Sequence, residues 1–308
     1  MDATTDSCAI SVVGLVKSYG ATLALRGVDL EVRRGEIFAL LGPNGAGKTT
    51  CVEIMEGFRH RDAGDVRVLG VDPDRQPMAL KARIGIVLQS TGVDRYLSVA
   101  ETIAMYSSYY PHPRPVDEIV ALVGLDAKRD ERVLRLSGGQ QRRLDVAIAL
   151  AGDPDLLFLD EPTTGFDPSA RREVWDVIKN LRNLGKTVLL TTHFMDEAQY
   201  LADRLAVIAD GRIVAEGDPD TLAGRDRMTA TVRFSLPDHV APPEDVALEM
   251  VATNTFALAT LDVTRDLHRL TSWALDHHVD LGDLRVDRPT LEDVYLELTA
   301  AVTTKVVR

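Results

Sequence analysis

One stretch of the chain, residues 42–50, combines residue types that can hold a phosphate group. Its sequence fits the pattern G-x-x-x-x-G-K-[ST], and it consists of Gly42, Pro43, Asn44, Gly45, Ala46, Gly47, Lys48, Thr49 and Thr50. Glycines allow the tight turn that brings successive backbone N–H groups to phosphate oxygens. Lys48 would bridge the β- and γ-phosphates of a nucleotide, and the Thr49 hydroxyl would bind Mg²⁺. The alternative is an ordinary Gly-rich turn, but the apolar run before it and the helical pattern after it favour a phosphate loop.

Two adjacent carboxylates follow another apolar run, Leu156-Leu157-Phe158-Leu159. Asp160 and Glu161 at the end of a buried strand suit a division of labour in nucleotide hydrolysis. Asp160 would hold Mg²⁺, while Glu161 would polarise the attacking water as general base. A solvated acidic turn is the alternative, and the four apolar residues that lead into the pair disfavour it.

Three further residues stand where they could contact the same nucleotide. Gln89 follows the apolar run 84–88 and could reach Mg²⁺ or the attacking water. His193 follows the strand-like run 187–192 and could donate a hydrogen bond to the γ-phosphate. Tyr19, upstream of the phosphate loop, could stack on an adenine ring. Each has a structural alternative: a surface amide, a structural histidine and a half-buried strand residue.

A second predicted anion site is the segment Leu136-Ser137-Gly138-Gly139-Gln140, which precedes a helical stretch over residues 141–151. A serine and two glycines at a helix N-terminus offer free N–H groups and the positive end of the helix dipole. The chain thus carries two phosphate-binding elements.

These residues require a sheet whose strand ends meet at one edge. The pattern predicts buried strands at 84–88 and 156–159, an apolar strand at 37–41, a β-rich strand at 187–192, and further strands at 10–16, 24–32, 65–70, 205–208 and 211–217. Helices are predicted at 48–57, 99–110, 116–125, 141–151 and 169–184. After residue 217, strands at 229–236 and 256–263 and helices at 266–278 and 289–299 predict a small α+β appendage.

Composition narrows the function. A length of 308 residues suits one large and one smaller domain. A content of 45% hydrophobic and 27% charged residues is that of an ordinary globular protein. The net charge of -12 argues against broad binding to nucleic acid. The two cysteines, Cys8 and Cys51, suggest no disulfide framework and favour a reducing cytosol. No signal peptide or membrane-spanning run is apparent, so membrane association would come through a partner.

Taken together, the motifs resemble the nucleotide-binding domain of ABC transporters over roughly residues 10–225. LSGGQ is that family's signature, and here it occurs with a phosphate loop, LLFLDEP and TTH in the family's order. The resemblance implies an α/β P-loop NTPase core: a mixed sheet flanked by helices, an antiparallel β subdomain and an inserted helical subdomain at about 92–152. We expect this domain at 8–225 and the α+β accessory domain at 226–308.

The resemblance also implies partners. In the family, two such domains pack head to tail, so that ATP would lie between the phosphate loop of one chain and Ser137, Gly138, Gly139 and Gln140 of another, a homodimer or a heterodimer with a related subunit. Asp167 would act across that interface. Phe166 stands where leucine is common, which concerns local packing.

The C-terminal P-T-L-E-D-V-Y-L-E-L-T resembles ATP-binding subunits of daunorubicin-resistance-type exporters. It implies a separate polytopic permease, a position at the cytoplasmic face of the membrane, and export of drugs or other hydrophobic compounds. The alternatives are a soluble ABC ATPase acting on ribosomes or DNA, and the ATPase of an importer.

Overall fold

A computed structural model describes residues 8–75, 77–88, 92–243 and 246–306. The chain divides into two compact units: the first runs to Pro219 and takes in the chain from Leu298, and the second is Asp220–Glu297.

The first unit contains nine strands among its described residues: β1 (Cys8–Tyr19), β2 (Thr22–Arg33), β3 (Ile37–Leu41), β4 (Ala63–Val68), β5 (Ile84–Val87), β6 (Leu156–Asp160), β7 (Thr187–Thr192), β8 (Arg204–Ala209) and β9 (Arg212–Gly217). Six of them form a sheet in the order β5-β6-β7-β3-β8-β9, in which only the β8–β9 pair is antiparallel. Every residue of β3 and β7 is buried. Strands that are buried on both faces are rich in apolar residues, so the sequence predicts the strands of this sheet.

The strand register aligns the carboxyl ends of three strands. Leu41 of β3 pairs with Thr192 of β7, and Asp160 of β6 pairs with Thr191 of β7. The residues that follow these three strands therefore emerge at one edge of the sheet, where ligands bind in open α/β folds.

A second, antiparallel sheet of the first unit has the order β2-β1-β4. Its inward side chains, such as Leu15, Val28 and Val66, share one hydrophobic core with Phe38 of β3 and Cys51. This sheet is the predicted antiparallel β subdomain.

Seven α-helices lie entirely within the described part of the first unit: α1 (Lys48–Met55), α2 (Pro77–Lys81), α3 (Val99–Ser107), α4 (Val116–Leu122), α5 (Gly138–Ala149), α6 (Pro168–Asn183) and α7 (Met195–Leu201). Helices α3, α4 and α5 pack on one another between β5 and β6 of the chain, as an inserted helical region should. A reciprocal cap between Ser98 and Glu101 starts α3.

The second unit is a four-stranded antiparallel sheet with a helix on it. Its strands β10 (Ala230–Ser235), β11 (Glu249–Ala252), β12 (Thr255–Thr260) and β13 (Gly282–Asp287) lie in the order β11-β12-β10-β13. Helix α8 (Val263–Asp276) buries Leu270 against Val232 and Phe234 of β10. A last helix, α9 (Leu291–Val306), follows. The predicted small α+β appendage is confirmed.

Several predicted boundaries differ from the structure. Helix α5 begins at Gly138, three residues before the predicted start at 141, because Ser137 is its N-cap. Strand β4 ends at Val68 because Leu69 and Gly70 turn the chain with positive φ of 51° and 78°. Strands β1 and β2 extend beyond the predicted 10–16 and 24–32 at both ends, so the turn between them is shorter than expected.

Candidate active site

The phosphate loop leaves the end of β3 and needs glycine at two positions for space. A Cβ on Gly42 would lie 2.4 Å from the carbonyl oxygen of Ile208. Gly47 has a φ of +105°, and a Cβ there would lie 2.8 Å from the Ala24 oxygen and from Leu25 Cδ2. The loop is therefore pressed against β2 and β8, and α1 begins directly after it at Lys48.

Lys48 is almost fully buried, with 5% of its surface exposed. Its Nζ donates to the carbonyl oxygens of Gly42 at 2.7 Å and Pro43 at 3.3 Å, and it lies 3.8 Å from Glu161 Oε1. Burial lowers the pKa of Lys48, while the charges of Glu161 and Asp160 oppose that shift. The ammonium group thus connects the phosphate loop with the carboxylate pair.

The carboxylate pair lies in a strained turn at the end of β6. Glu161 has a φ of +43°, which is unusual for a residue with a Cβ. Its N–H donates to the Thr191 carbonyl at 3.2 Å and to Thr191 Oγ1 at 3.1 Å, and Thr191 Oγ1 donates to Asp160 Oδ1 at 2.5 Å. Thr164 Oγ1 donates to Glu161 Oε2 at 3.1 Å. The orientation of both carboxylates is therefore fixed by neighbouring side chains.

His193 stands beside the same carboxylate. Its Nδ1 lies 3.2 Å from Glu161 Oε1, and its ring packs on Phe194 with the centroids 4.1 Å apart. Glu161 Oε1 is therefore shared between the ammonium group of Lys48 and the ring of His193. Three residues predicted from separate motifs are brought together at one oxygen atom.

The signature segment caps its own helix. Ser137 Oγ accepts from the Gln140 N–H at 3.3 Å, and Gln140 Oε1 accepts from the Ser137 N–H at 3.0 Å. A Cβ on Gly139 would lie 3.2 Å from Ala170 Cβ, so α5 approaches the start of α6 closely. A cavity of about 690 Å³ opens between these elements, and its lining includes Gly138, Phe166 and Glu161.

The remaining predicted site residues have individual settings. Asp167 caps α6, because its Oδ1 accepts from the N–H groups of Ser169 at 2.9 Å and Ala170 at 3.0 Å. Tyr19 is 40% exposed, with the Arg59 guanidinium 5.1 Å from its ring centroid. Gln89 lies outside the described residues.

Sequence reasoning missed three residues that hold the site together, Thr191, Thr164 and Arg142. The two threonines lie in the motifs already recognised, but their roles depend on strand pairing and turn geometry that no pattern specifies. Arg142 is buried on α5, where it donates to the backbone carbonyl oxygens of Asp160 and Pro162, and these contacts depend on how the helix packs.

Fold and site together define a P-loop nucleotide-binding protein. The family profile described as "ABC transporter" matches residues 25–164, and the profile "ABC transporter domain-containing protein-like, C-terminal domain" matches residues 230–290. The Nod factor export ATP-binding protein I of Paraburkholderia xenovorans is 39% identical over 92% of this chain and 94% of its own length. The daunorubicin/doxorubicin resistance ATP-binding protein DrrA of Streptomyces peucetius is 36% identical over 94% of this chain and 92% of its own length. The chain belongs to the ATP-binding subunits of ABC transporters and is an ATPase of that family.

Solved structures agree with this assignment. The cbiO1 protein of Clostridium perfringens, part of the cbiONQ ABC transporter complex, has a TM-score of 0.64 at 29% identity, covering 70% of this chain and 90% of that protein. An ATP-binding cassette solved as a dimer in a post-hydrolysis state with ADP and Pi has a TM-score of 0.60 at 25% identity, covering 68% of this chain and 98% of that protein. Among the helices in the described part of the chain, none has the length and apolar character needed to cross a bilayer.

Proposed function

We propose that this chain is the ATP-hydrolysing subunit of an ABC exporter, and that it closes a head-to-tail dimer on ATP to drive a separate membrane permease. The observation that carries the chemistry is the convergence on Glu161 Oε1, which lies 3.8 Å from Lys48 Nζ and 3.2 Å from His193 Nδ1. Around this oxygen, Glu161 would act as the base, Lys48 as the phosphate-binding cation and His193 as the hydrogen-bonding ring.

Nucleotide binding would begin at the phosphate loop. Its N–H groups and the N-terminus of α1 would hold the phosphates of ATP. Lys48 would exchange its bonds to Gly42 and Pro43 for oxygens of the β- and γ-phosphates, and Tyr19 would stack on the adenine ring. A buried ammonium has strong electrostatic attraction for the γ-phosphate, because little water screens it.

The donor set at this edge of the sheet fits Mg²⁺. The Thr49 hydroxyl is exposed at the first turn of α1, and Asp160 carries a carboxylate fixed by Thr191. Mg²⁺ in nucleotide sites is usually held by one or two such oxygens together with phosphate oxygens and water. Gln89 would add an amide oxygen. When bound, the ion would neutralise charge that develops on the phosphates.

Hydrolysis would use Glu161 as general base. Its carboxylate would accept a proton from the water that attacks the γ-phosphorus, and His193 would donate a hydrogen bond to the γ-phosphate. The strained turn at Glu161 aims the side chain, because Thr191 accepts from its backbone N–H and Thr164 donates to its Oε2.

The dimer would complete each site. Ser137, Gly138, Gly139 and Gln140 of a second chain would contact the γ-phosphate through the start of α5. Asp167 would approach the partner's site across the interface while it caps α6. The cassette solved as a dimer with ADP and Pi supports a nucleotide-bound dimer. Because the γ-phosphate joins two surfaces only while it is attached, cleavage would reopen the dimer.

Export follows from the relatives. The proteins at 36–39% identity carry names of Nod factor export and of daunorubicin resistance. These names support our proposal that the chain lies at the cytoplasmic face of the membrane, bound to a polytopic permease that moves drugs or other hydrophobic compounds outward. The named relatives favour neither a ribosome- or DNA-directed ATPase nor an importer.

The test is the Glu161→Gln variant of the full chain. ATP binding should persist, phosphate release should fall at least about 100-fold because the base is lost, and light scattering should detect a dimer with ATP. Glu118→Gln is the control, since it makes the same change at an exposed glutamate of α4 that takes no part in the proposed site, and it should keep wild-type activity. Wild-type phosphate release by Glu161→Gln would refute the assignment.

The transport proposal is tested with the same variant, tagged and loaded with ATP. Pull-down from gently solubilised native membranes should recover a polytopic membrane protein. Recovery of ribosomal or DNA-associated proteins without a permease would contradict the export assignment and leave the ATPase chemistry intact.

A further inference from the structure

A buried arginine on the signature helix contacts the turn that carries Glu161. Arg142 lies on the second turn of α5 and is 5% exposed. Its Nη2 donates to the carbonyl oxygen of Asp160 at 2.9 Å, and its Nε donates to that of Pro162 at 2.9 Å. Its Nη1 donates to the carbonyl oxygen of Leu88, which follows β5. One side chain thus joins three separate segments of the first unit.

The two carbonyl groups from residues 160 and 162 flank Glu161 on both sides. A residue with positive φ persists only where its surroundings hold it, because the conformation is costly for a side chain with a Cβ. Glu161 is held by Thr191 at its N–H and by Arg142 through the neighbouring carbonyl groups. The direction of the Glu161 side chain therefore depends on a residue of the signature helix.

Arginine is the side chain that suits this role. Its planar fork presents five N–H donors in fixed directions, so that it can fix several carbonyl groups relative to one another. Its charge is balanced within the same helix, where Asp145 Oδ2 lies 3.7 Å from Nη1. A glutamine at this position has two donors on one nitrogen, and a lysine has three on one point, so neither reproduces the fork.

We propose that Arg142 is a positioning residue for hydrolysis. It ties the start of α5 and the end of β5 to the Glu161 turn, so that the placement of the signature helix sets where the Glu161 carboxylate stands. This inference rests on the proposed function, in which Glu161 activates the attacking water. It adds a direct mechanical connection, within one chain, between the segment that contacts the partner's nucleotide and the base of the chain's own site.

The experiment compares Arg142→Gln and Arg142→Lys in the full chain. A shift of the base by about 1 Å costs on the order of 100-fold in rate, so Arg142→Gln should lower kcat by about 10- to 100-fold. KM for ATP and the Kd for a non-hydrolysable ATP analogue should stay within about twofold, since the phosphate loop is untouched. Arg142→Lys should recover part of kcat, because it keeps the charge and one or two of the bonds.

Arg143→Gln is the matched control. Arg143 is the next residue of α5, and its guanidinium also reaches a backbone carbonyl, that of Gly124 at 2.9 Å, and lies 3.2 Å from Glu173. Among the described residues, Arg143 has no hydrogen bond or ion pair to the Glu161 turn. The Arg143→Gln variant should therefore keep kcat within about twofold of the wild type.

Three results would overturn the inference: a folded Arg142→Gln or Arg142→Lys protein with wild-type kcat, a loss of ATP affinity that accounts for the loss of rate, or an equal loss of kcat in Arg143→Gln. If Arg142→Gln does not fold, Arg142→Lys decides alone. The proposed function fails separately, when Glu161→Gln hydrolyses ATP at the wild-type rate. An inactive Glu161→Gln with fully active Arg142 variants would refute only the role of Arg142.

Discussion

Glu56 makes the stability of the first unit depend on pH. It follows the last residue of α1, and only 3% of its surface is exposed. Burial, with smaller contributions from the charges of Asp160 and Glu53, raises the pKa of Glu56 from its ordinary value of 4.5 to about 8. The folded protein therefore holds a proton on this carboxyl group at neutral pH, while the unfolded chain has released it.

The direction of the effect follows from proton linkage. At Glu56 the folded state binds more protons than the unfolded state between these two pKa values, so the stability that this group contributes is fully present below 4.5 and is lost as pH rises towards about 8. Relative to low pH, the raised pKa of Glu56 lowers the free energy of unfolding by about 1 kcal/mol at pH 5 and by about 3 kcal/mol at pH 7. Glu56→Gln removes the titration, keeps a similar shape and should stabilise the protein by about 2 kcal/mol more at pH 7 than at pH 5.

The assay is urea unfolding at pH 5 and pH 7, followed by tryptophan fluorescence. The chain has two tryptophans, and Trp175 is buried on α6 of the first unit, so a Trp273→Phe background reports on that unit. Glu118→Gln on α4 is the control, because Glu118 is exposed and should show little difference between the two pH values. An equal effect of Glu56→Gln at both pH values would refute the reasoning.

Two further predictions concern the nucleotide site. Lys48→Ala removes the buried ammonium group that contacts the phosphate loop and Glu161. ATP affinity should fall at least about 10-fold, because a charge-assisted contact is lost. Fluorescence titration would measure the affinity, and an unchanged value would contradict the assignment of the phosphate loop. His193→Ala removes the ring beside Glu161 Oε1. Phosphate release should fall about 10- to 1000-fold while ATP still induces the dimer. Full activity of this variant would leave His193 with a structural role.

The sequence predicted the parts of the fold that are buried on both sides. Residues 187–192 are predicted as a strand and form β7 with the same bounds, because the segment consists of leucine and the β-branched residues threonine and valine, which suit a buried strand. Strands β11 and β13 were missed, since they are edge strands whose residues are mostly exposed and carry little periodic signal. Helix α7 was also missed: it is seven residues long and directly follows His193.

The sequence predicts the residues of the candidate site, but not the residues that hold them in position. Motifs located Lys48, Glu161 and His193, and strand order then explains why they meet at one edge. The positive φ of Glu161 and the contacts of Arg142 could not be predicted, because they depend on how α5 packs against the turn after β6. The roles of the individual site residues stay predictions until the variants are measured.

The reciprocal cap of Ser137 and Gln140 has a consequence for how this segment would meet a phosphate group. Both bonds of the cap use a side-chain oxygen as the acceptor of a backbone N–H, so they occupy no side-chain donor. A phosphate oxygen accepts hydrogen bonds, so the Ser137 O–H and the Gln140 amide N–H₂ would donate to it while the cap stays in place. The start of α5 would therefore keep its own hydrogen bonds both when a phosphate arrives and when it leaves.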